Sequence, residues 1–163
     1  SPCLVPADSP LGQLQGGTNM VVLEGSGVGQ IVLLGPGAGA GPTASAVLAD
    51  VIDIARGNRM PVFGQPTRTL AAPVAAVTAA PAPYYLRLNL QDKPGALAKI
   101  AAALGDAGVS IDRMRQREHQ EAVAPVLIVT HKTTREALDH ALRSFVATGV
   151  VSGEVVALRI EAV

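Results

Sequence analysis

Two glycine-containing turns carry the residues of this chain that are best suited to contact a ligand. The first is the run Gly35–Thr43, which follows a β-rich segment and precedes a helical pattern. Small residues let a ligand approach the backbone, and the free N–H groups of a first helical turn can donate to it. The second is the turn from Asp92 to Gly95, where Pro94 and Gly95 predict a tight bend before another helix. Either turn is also explained by structure alone, because glycine fits a strand-to-helix turn.

The glycine run is not a dinucleotide-binding fingerprint in its own right. That fingerprint belongs to a strand–helix–strand unit with an acidic residue some distance further on, and no such unit follows here. Thr43 is better explained as a hydroxyl at a helix N-terminus than as a ligand contact.

The other residues of reactive type form no catalytic or metal-binding pattern. The single cysteine, Cys3, excludes an internal disulfide and a cysteine-built zinc site. Three histidines lack metal-ligand spacing with carboxylates, so surface positions are expected for His119, His131 and His140. Three arginines alternate along one predicted strand and indicate a solvated face: Arg113, Arg115 and Arg117. The sequence therefore predicts no catalytic residue and no metal site in this chain.

Composition limits the class of protein. The 163 residues balance 13 basic against 13 acidic side chains, so charge gives no reason to expect nucleic acid or an anionic membrane as a partner. The apolar fraction is 48% but aromatics are only 2%, which predicts an aliphatic core. No apolar stretch is long enough to span a membrane. One cysteine favours a reducing cytoplasm, and a first residue other than Met predicts a piece of a longer chain.

Three segments differ in their patterns. Residues 1–57 are predicted to form one unit, residues 58–83 a linker and residues 84–163 a compact α+β domain. In the linker, five prolines between Pro61 and Pro83 remove any helical or strand period, so an extended, semi-rigid tether is expected.

The first unit is predicted to contain a β-hairpin and a helix. Two short β-rich runs flank a glycine turn, which favours antiparallel pairing. Apolar residues then recur at helical spacing, with Pro42 suited to the helix entry and Gly57 to its end. The predicted elements are strands Thr18–Glu24 and Gln30–Leu34 and helix Thr43–Arg56.

The third unit has a βαββαβ order, which predicts a ferredoxin-like, four-stranded antiparallel sheet with two helices on one face. Thr133 and Glu136 have the spacing of a capping box for the second helix. Pro125 is expected at a sheet edge or a bulge, because proline cannot donate to a ladder. The predicted elements are Tyr84–Leu90, Ala96–Ala107, Val109–Arg117, Ala122–His131, a helix to Ala147 and a strand within Val150–Ile160.

The third unit resembles the ACT domain family of small modules that bind amino acids. The likeness rests on Leu90–Ile100, on Gly108–Asp112 and on the element order, and it covers residues 84–163. It implies side-by-side pairing of two domains, with an effector between them. Position 110 is Ser where ligand-binding members often have Asn, so a purely structural turn at Asp92–Gly95 stays open as an alternative. The implied effector residues are Asp92, Pro94, Gly95, Ala96, Leu97, Ser110 and Ile111.

The first unit is similar to the end of the catalytic region of the homoserine dehydrogenase family. The likeness is carried, in order, by Gly16–Val22, Glu24–Gly25, Val28–Gly29, Gly35–Val47 and Asp50–Arg56. Bacterial members continue through a linker into an ACT domain, as here. The resemblance implies NAD(P)-dependent interconversion of L-homoserine and L-aspartate 4-semialdehyde, in the route to threonine and methionine.

The same resemblance assigns the chemistry to residues outside this chain. The family's nucleotide-binding fingerprint, catalytic lysine and homoserine-binding acids lie upstream, so the chain alone is expected to be inactive and to bind no cofactor. Gly39 matches a family glycine that contacts the nicotinamide nucleotide, with Gly37 and Ala38 as weaker candidates. Threonine is the implied effector and a homo-oligomer the implied assembly. The competing interpretation is a free-standing, amino-acid-binding ACT protein.

Overall fold

The computed structural model describes residues 2–61, 64–72, 79–116 and 122–161. The chain divides into two compact units, one of residues 7–75 and one that joins residues 1–6 to residues 76–163. No helix among the described residues combines the length and apolarity needed to cross a membrane. The elements in chain order are β1 (Cys3–Leu4), β2 (Thr18–Gly25), β3 (Gly29–Pro36), α1 (Ala40–Ala55), β4 (Tyr84–Gln91), α2 (Ala96–Asp106), β5 (Ile111–Gln116), β6 (Val123–Thr130), α3 (Arg135–Ala147) and β7 (Val151–Ile160).

The unit of residues 7–75 is built from the β2–β3 hairpin and helix α1. The strands pair antiparallel without a register shift, from Thr18 opposite Pro36 to Gly25 opposite Gly29, so the predicted hairpin is confirmed. Helix α1 begins at Ala40, three residues before the predicted start. Pro42 therefore lies within the first helical turn, where its missing N–H has no intrahelical acceptor to lose.

The second unit is the predicted α+β sandwich of one sheet and two helices. Its sheet has the order β1-β7-β4-β6-β5, and every neighbouring pair except β1–β7 is antiparallel. Alternate residues of β4 and β6 point at α2 and α3 and are buried with them, which leaves the opposite face of the sheet without a helix. The most deeply buried apolar side chains are Phe145, Leu86, Leu88, Ile100, Leu104, Ile128 and Leu138.

Strand β1 makes this sheet five-stranded rather than four-stranded. Cys3 and Leu4 pair in parallel with Arg159 and Ile160, and the Glu161 N–H donates to the Leu4 carbonyl at 2.9 Å. The start of the chain thus lies with the second unit, whereas the sequence placed residues 1–57 together. A two-residue strand has no period to detect, and its partner is more than 150 positions away.

The start of α3 differs from the predicted capping box. Thr134 is the N-cap, and its hydroxyl accepts a hydrogen bond from the Ala137 N–H at 3.2 Å. Thr133 is instead buried in a backbone bridge with Ala82, in which each N–H donates to the other's carbonyl at 3.0 Å. The capping role therefore moves one residue along the chain, because sheet pairing already engages Thr133.

Pro125 lies on an interior strand, so the expectation of a sheet edge was wrong. Strand β6 pairs with β4 on one side and β5 on the other. The Asp92 N–H donates to the Ala122 carbonyl, so the backbone of Ala122 bonds toward the β4 side. Along a strand that lies between two antiparallel neighbours, successive residues bond to one neighbour and then to the other. The backbone N–H and C=O groups of the odd-numbered residues of β6 therefore face β5. Pro125 thus turns its missing N–H toward β5, one position beyond the last described pair, Gln116 with Val126.

Candidate functional site

The first candidate site is the loop Gly37–Gly39, which connects β3 to α1. Gly39 is the N-cap of α1 with φ 115° and ψ 158°, a backbone conformation that is strained for residues with a side chain. No side chain caps the helix, and the first helical hydrogen bond runs from the Thr43 N–H to the Gly39 carbonyl at 3.1 Å. Gly37, Ala38 and Gly39 are all exposed. The loop is accessible and presents backbone rather than side chains.

Asn19 of β2 lies against this loop, which sequence reasoning did not foresee. A Cβ placed on Gly37 would overlap Asn19 Nδ2 and lie 2.5 Å from Asn19 Cγ. The only available signal was the hairpin register, which sets Asn19 opposite Gly35, two residues before Gly37. A side chain at position 37 would therefore displace the Asn19 carboxamide, while the glycine at 39 is explained by its φ angle.

The second candidate site is the turn after β4, at residues Asp92–Gly95. Gly95 is the N-cap of α2 with φ 82°, in the left-handed region that glycine adopts readily. The first helical bond joins the Lys99 N–H to the Gly95 carbonyl, so the preceding N–H groups at the start of α2 have no intrahelical acceptor. Ala96 is buried and Leu97 is half-buried, so the exposed part of the turn consists of Asp92, Lys93, Pro94 and Gly95.

The other two predicted effector residues lie at the opposite end of the sheet. Asp92 follows the last residue of β4, at what we call the Gln91 end. Ser110 precedes β5 and Ile111 begins it. Strand β5 runs in the same direction as β4 and starts beside Thr130, at the Tyr84 end. Seven steps of strand separate the two ends by roughly 24 Å at about 3.4 Å per residue. One chain does not bring the two groups together.

Arg159 makes an ion pair and a hydrogen bond at the Tyr84 end of the second unit. The pKa of Arg159 is above its usual value, chiefly because its guanidinium donates to the Glu161 carboxylate, with Tyr84 adding to the effect. Arg159 Nη1 also donates to the Ala80 carbonyl at 2.8 Å. These groups fix the entry of the chain into β4 and lie away from Asp92–Gly95.

The remaining residues of reactive type stay apart in the described part of the chain. There, no three His, Cys, Asp or Glu side chains lie close enough together to hold a metal ion. Cys3, His131 and His140 are exposed, and Arg113 and Arg115 lie exposed on β5. His119 and Arg117 fall outside the described residues.

Comparison with known proteins gives two family matches. Residues 1–52 match the family model described as homoserine dehydrogenase, and residues 84–148 match the ACT domain model. The homoserine dehydrogenase of Pseudomonas aeruginosa is 35% identical over 98% of this chain and 39% of its own length. That of Methylobacillus glycogenes is 38% identical over 98% of this chain and 40% of its own length.

A solved structure gives the same result. The homoserine dehydrogenase of Thiobacillus denitrificans superposes with a TM-score of 0.78 at 34% identity, over 98% of this chain and 38% of that one. The chain therefore spans about two fifths of the length of the relatives that it matches. It joins a homoserine dehydrogenase segment to an ACT domain and is the C-terminal part of a protein of the homoserine dehydrogenase family.

Proposed function

We propose that this chain belongs to an NAD(P)-dependent enzyme that interconverts L-homoserine and L-aspartate 4-semialdehyde for threonine and methionine synthesis. The observation that carries the proposal is the homoserine dehydrogenase match over residues 1–52, followed by the ACT match, in a chain of which 98% aligns with 39% of a homoserine dehydrogenase. With a single cysteine, the chain suits a reducing compartment, and we place the enzyme in the cytoplasm.

The Gly37–Gly39 loop is suited to hold part of the nicotinamide cofactor. It is exposed, it carries a methyl group at most as a side chain, and it precedes a 16-residue helix whose first N–H groups lack intrahelical acceptors. When bound, the cofactor supplies or accepts the hydride. The part assigned to this chain is to bring backbone close to the nucleotide, with Gly39 as the main contact and Gly37 and Ala38 beside it.

The chain by itself is proposed to be inactive. The resemblance places the catalytic lysine and the acids that bind homoserine in an upstream region with no counterpart here. A glycine loop can bind and orient, but it offers no side chain that could take or give a proton. Hydride transfer from the primary alcohol of homoserine also requires removal of the hydroxyl proton, and the proposal assigns that step to the upstream region.

The activity test compares the full-length protein with this chain. The expected result is homoserine-dependent reduction of NAD⁺ or NADP⁺ by the full-length protein and none by residues 1–163 alone. Absence of turnover in a folded full-length protein, with either cofactor, would refute the enzymatic function. Turnover by the isolated chain would show that the chemistry was assigned to the wrong region.

The ACT unit is proposed to bind an amino acid, with threonine as the expected effector, and to work as a dimer. The geometry supports a shared site, because one chain holds Asp92–Gly95 and Ser110 at opposite ends of its sheet. Strand β5 is the edge of that sheet. A two-fold pairing of two β5 strands is antiparallel, so it would bring Ser110 of one copy to the Gln91 end of the other.

The effector proposal is tested by calorimetry with threonine on this chain. Replacement of Asp92 by Ala should weaken binding about tenfold or more, since the carboxylate is the proposed partner of the ammonium group. Asp106→Ala is the matched control, because Asp106 is an exposed carboxylate at the far end of α2. If threonine binds with equal affinity to both variants and to the unchanged chain, Asp92 has no part in the site.

A further inference from the structure

We propose that Asn19 is a positioning residue for the nicotinamide cofactor, and that it acts by holding the Gly37–Gly39 loop in its receptive conformation. The inference rests on the proposed function, because it assigns a role within the same loop. It concerns a residue on a different strand, which neither the glycine motif nor the helix start includes.

The hairpin register makes Asn19 a neighbour of the loop. Asn19 lies opposite Gly35, and residues 35 and 37 point to the same face of the hairpin. Gly37 is therefore the diagonal neighbour of Asn19, at a spacing that a side chain can bridge. The structure shows this contact, because a Cβ on Gly37 would overlap Asn19 Nδ2.

Backbone strain does not explain the glycine at position 37. The glycines with positive φ include Gly39 but not Gly37. An ordinary residue could adopt the backbone at 37, but its Cβ would lie 2.5 Å from Asn19 Cγ and would displace the Asn19 carboxamide from the loop. Asn19 and Gly37 therefore form a pair, in which a missing side chain makes room for an amide.

The character of the contact points to a ligand rather than to stability. Asn19 is exposed, so its packing on Gly37 buries little surface. Within the described residues no hydrogen bond engages its side-chain amide, which has two donors and an acceptor. The amide thus supports the loop from one side and keeps its polar atoms open to solvent, beside the backbone that is proposed to meet the nucleotide.

The test uses the full-length enzyme with the variants Asn19→Ala and Gly37→Ala. Both should weaken NADH and NADPH binding about tenfold, measured by fluorescence titration and as KM, with kcat and the KM for homoserine within about twofold. The double variant should lose about tenfold rather than a hundredfold, because both changes disrupt one contact. Gly27→Ala is the control and should bind normally, since Gly27 lies in the β2–β3 turn at the other end of the hairpin and its Cβ would meet nothing within 4 Å.

The outcomes separate the inference from the function on which it depends. A wild-type enzyme without homoserine dehydrogenase activity refutes the proposed function. An active enzyme in which Asn19→Ala binds both cofactors as the wild type does refutes the role of Asn19. A lowered melting temperature with equal losses in kcat and in both KM values shows a purely structural contact and also overturns the proposal.

Discussion

Gly37 and Gly39 are two residues apart in one loop, yet each is glycine for a different physical reason. Gly39 needs the freedom to adopt φ 115°, whereas a Cβ at Gly37 would displace the Asn19 side chain from the loop. A glycine-rich motif is therefore not a uniform signal. The sequence shows that small residues precede a helix, and the contact that constrains each one depends on the strand beside it.

At the residue scale, the cap of α3 gives a direct stability test. Thr134→Ala removes the hydroxyl that accepts from the Ala137 N–H and should cost about 1 kcal/mol in the free energy of unfolding. Thr134→Ser keeps the acceptor and should lie close to the wild type. Urea unfolding followed by circular dichroism measures both. Equal losses for the two variants would mean that the hydroxyl does not cap the helix.

The cap also shows the limit of local patterns. Two consecutive threonines stand before α3, and the spacing to Glu136 favoured Thr133 as the cap. The choice between them is made by Ala82, some fifty positions away, whose backbone pairs with Thr133. Local sequence thus located the helix start to within one residue, while a long-range bridge decided which hydroxyl performs the capping.

At the element scale, the sequence predicted the elements that have a strong hydrophobic period. It did not predict a very short strand, or which strands are neighbours in the sheet. The hairpin, the order of the ACT elements and the end of α3 at Ala147 follow from period and turn residues, and the structure confirms them. Strand β1 and the interior position of Pro125 depend on which strands become neighbours. A two-residue strand and a single proline contain no information about partners in a sheet.

The stability of the β1–β7 pairing can be tested through two adjacent amide groups, that of Ile160 at the end of β7 and that of Glu161 just after it. The Glu161 N–H donates to Leu4, while the Ile160 N–H donates to Pro83, both at 2.9 Å. Deletion of residues 1–6 should therefore speed hydrogen exchange at Glu161 about tenfold or more and leave Ile160 nearly unchanged. Exchange followed by NMR resolves the two sites, and Ile160 is the internal control. Unchanged protection of Glu161 would show that β1 contributes no stable pairing.

At the scale of the whole molecule, the two units differ in how well they are covered. The second unit buries a continuous, mainly aliphatic core, which also contains Tyr84 and Phe145, between its sheet and two helices. In the unit of residues 7–75, apolar side chains on both strands and on α1 stay exposed, with Leu34 of β3 at 62% and Ile54 of α1 at 69%. A monomer rarely exposes so many apolar groups. The chain spans about two fifths of the length of the relatives that it matches.

A single substitution on β5 can block the proposed dimer edge and still leave the hydrogen bonds between β5 and β6 intact. The His131 N–H donates to the Ser110 carbonyl, and the pairs that follow set Arg113 and Arg115 toward β6. By alternation, the backbone of Met114 faces away from β6. Met114→Pro should therefore remove a hydrogen-bond donor from the free edge while α2, α3 and the β5–β6 pairing remain.

The expected result is a folded monomer that has also lost threonine binding, since the proposed effector site needs residues from two copies. Light scattering gives the mass and circular dichroism the fold, with Met114→Leu as the control that keeps the donor. Binding and association are linked, so threonine should tighten the wild-type dimer and bind more tightly as protein concentration rises. A monomeric Met114→Pro variant that binds threonine with wild-type affinity would contradict the shared site and place the whole site within one chain. Because Asp92 and Ser110 are roughly 24 Å apart in one chain, only one of these two residues could then belong to the site.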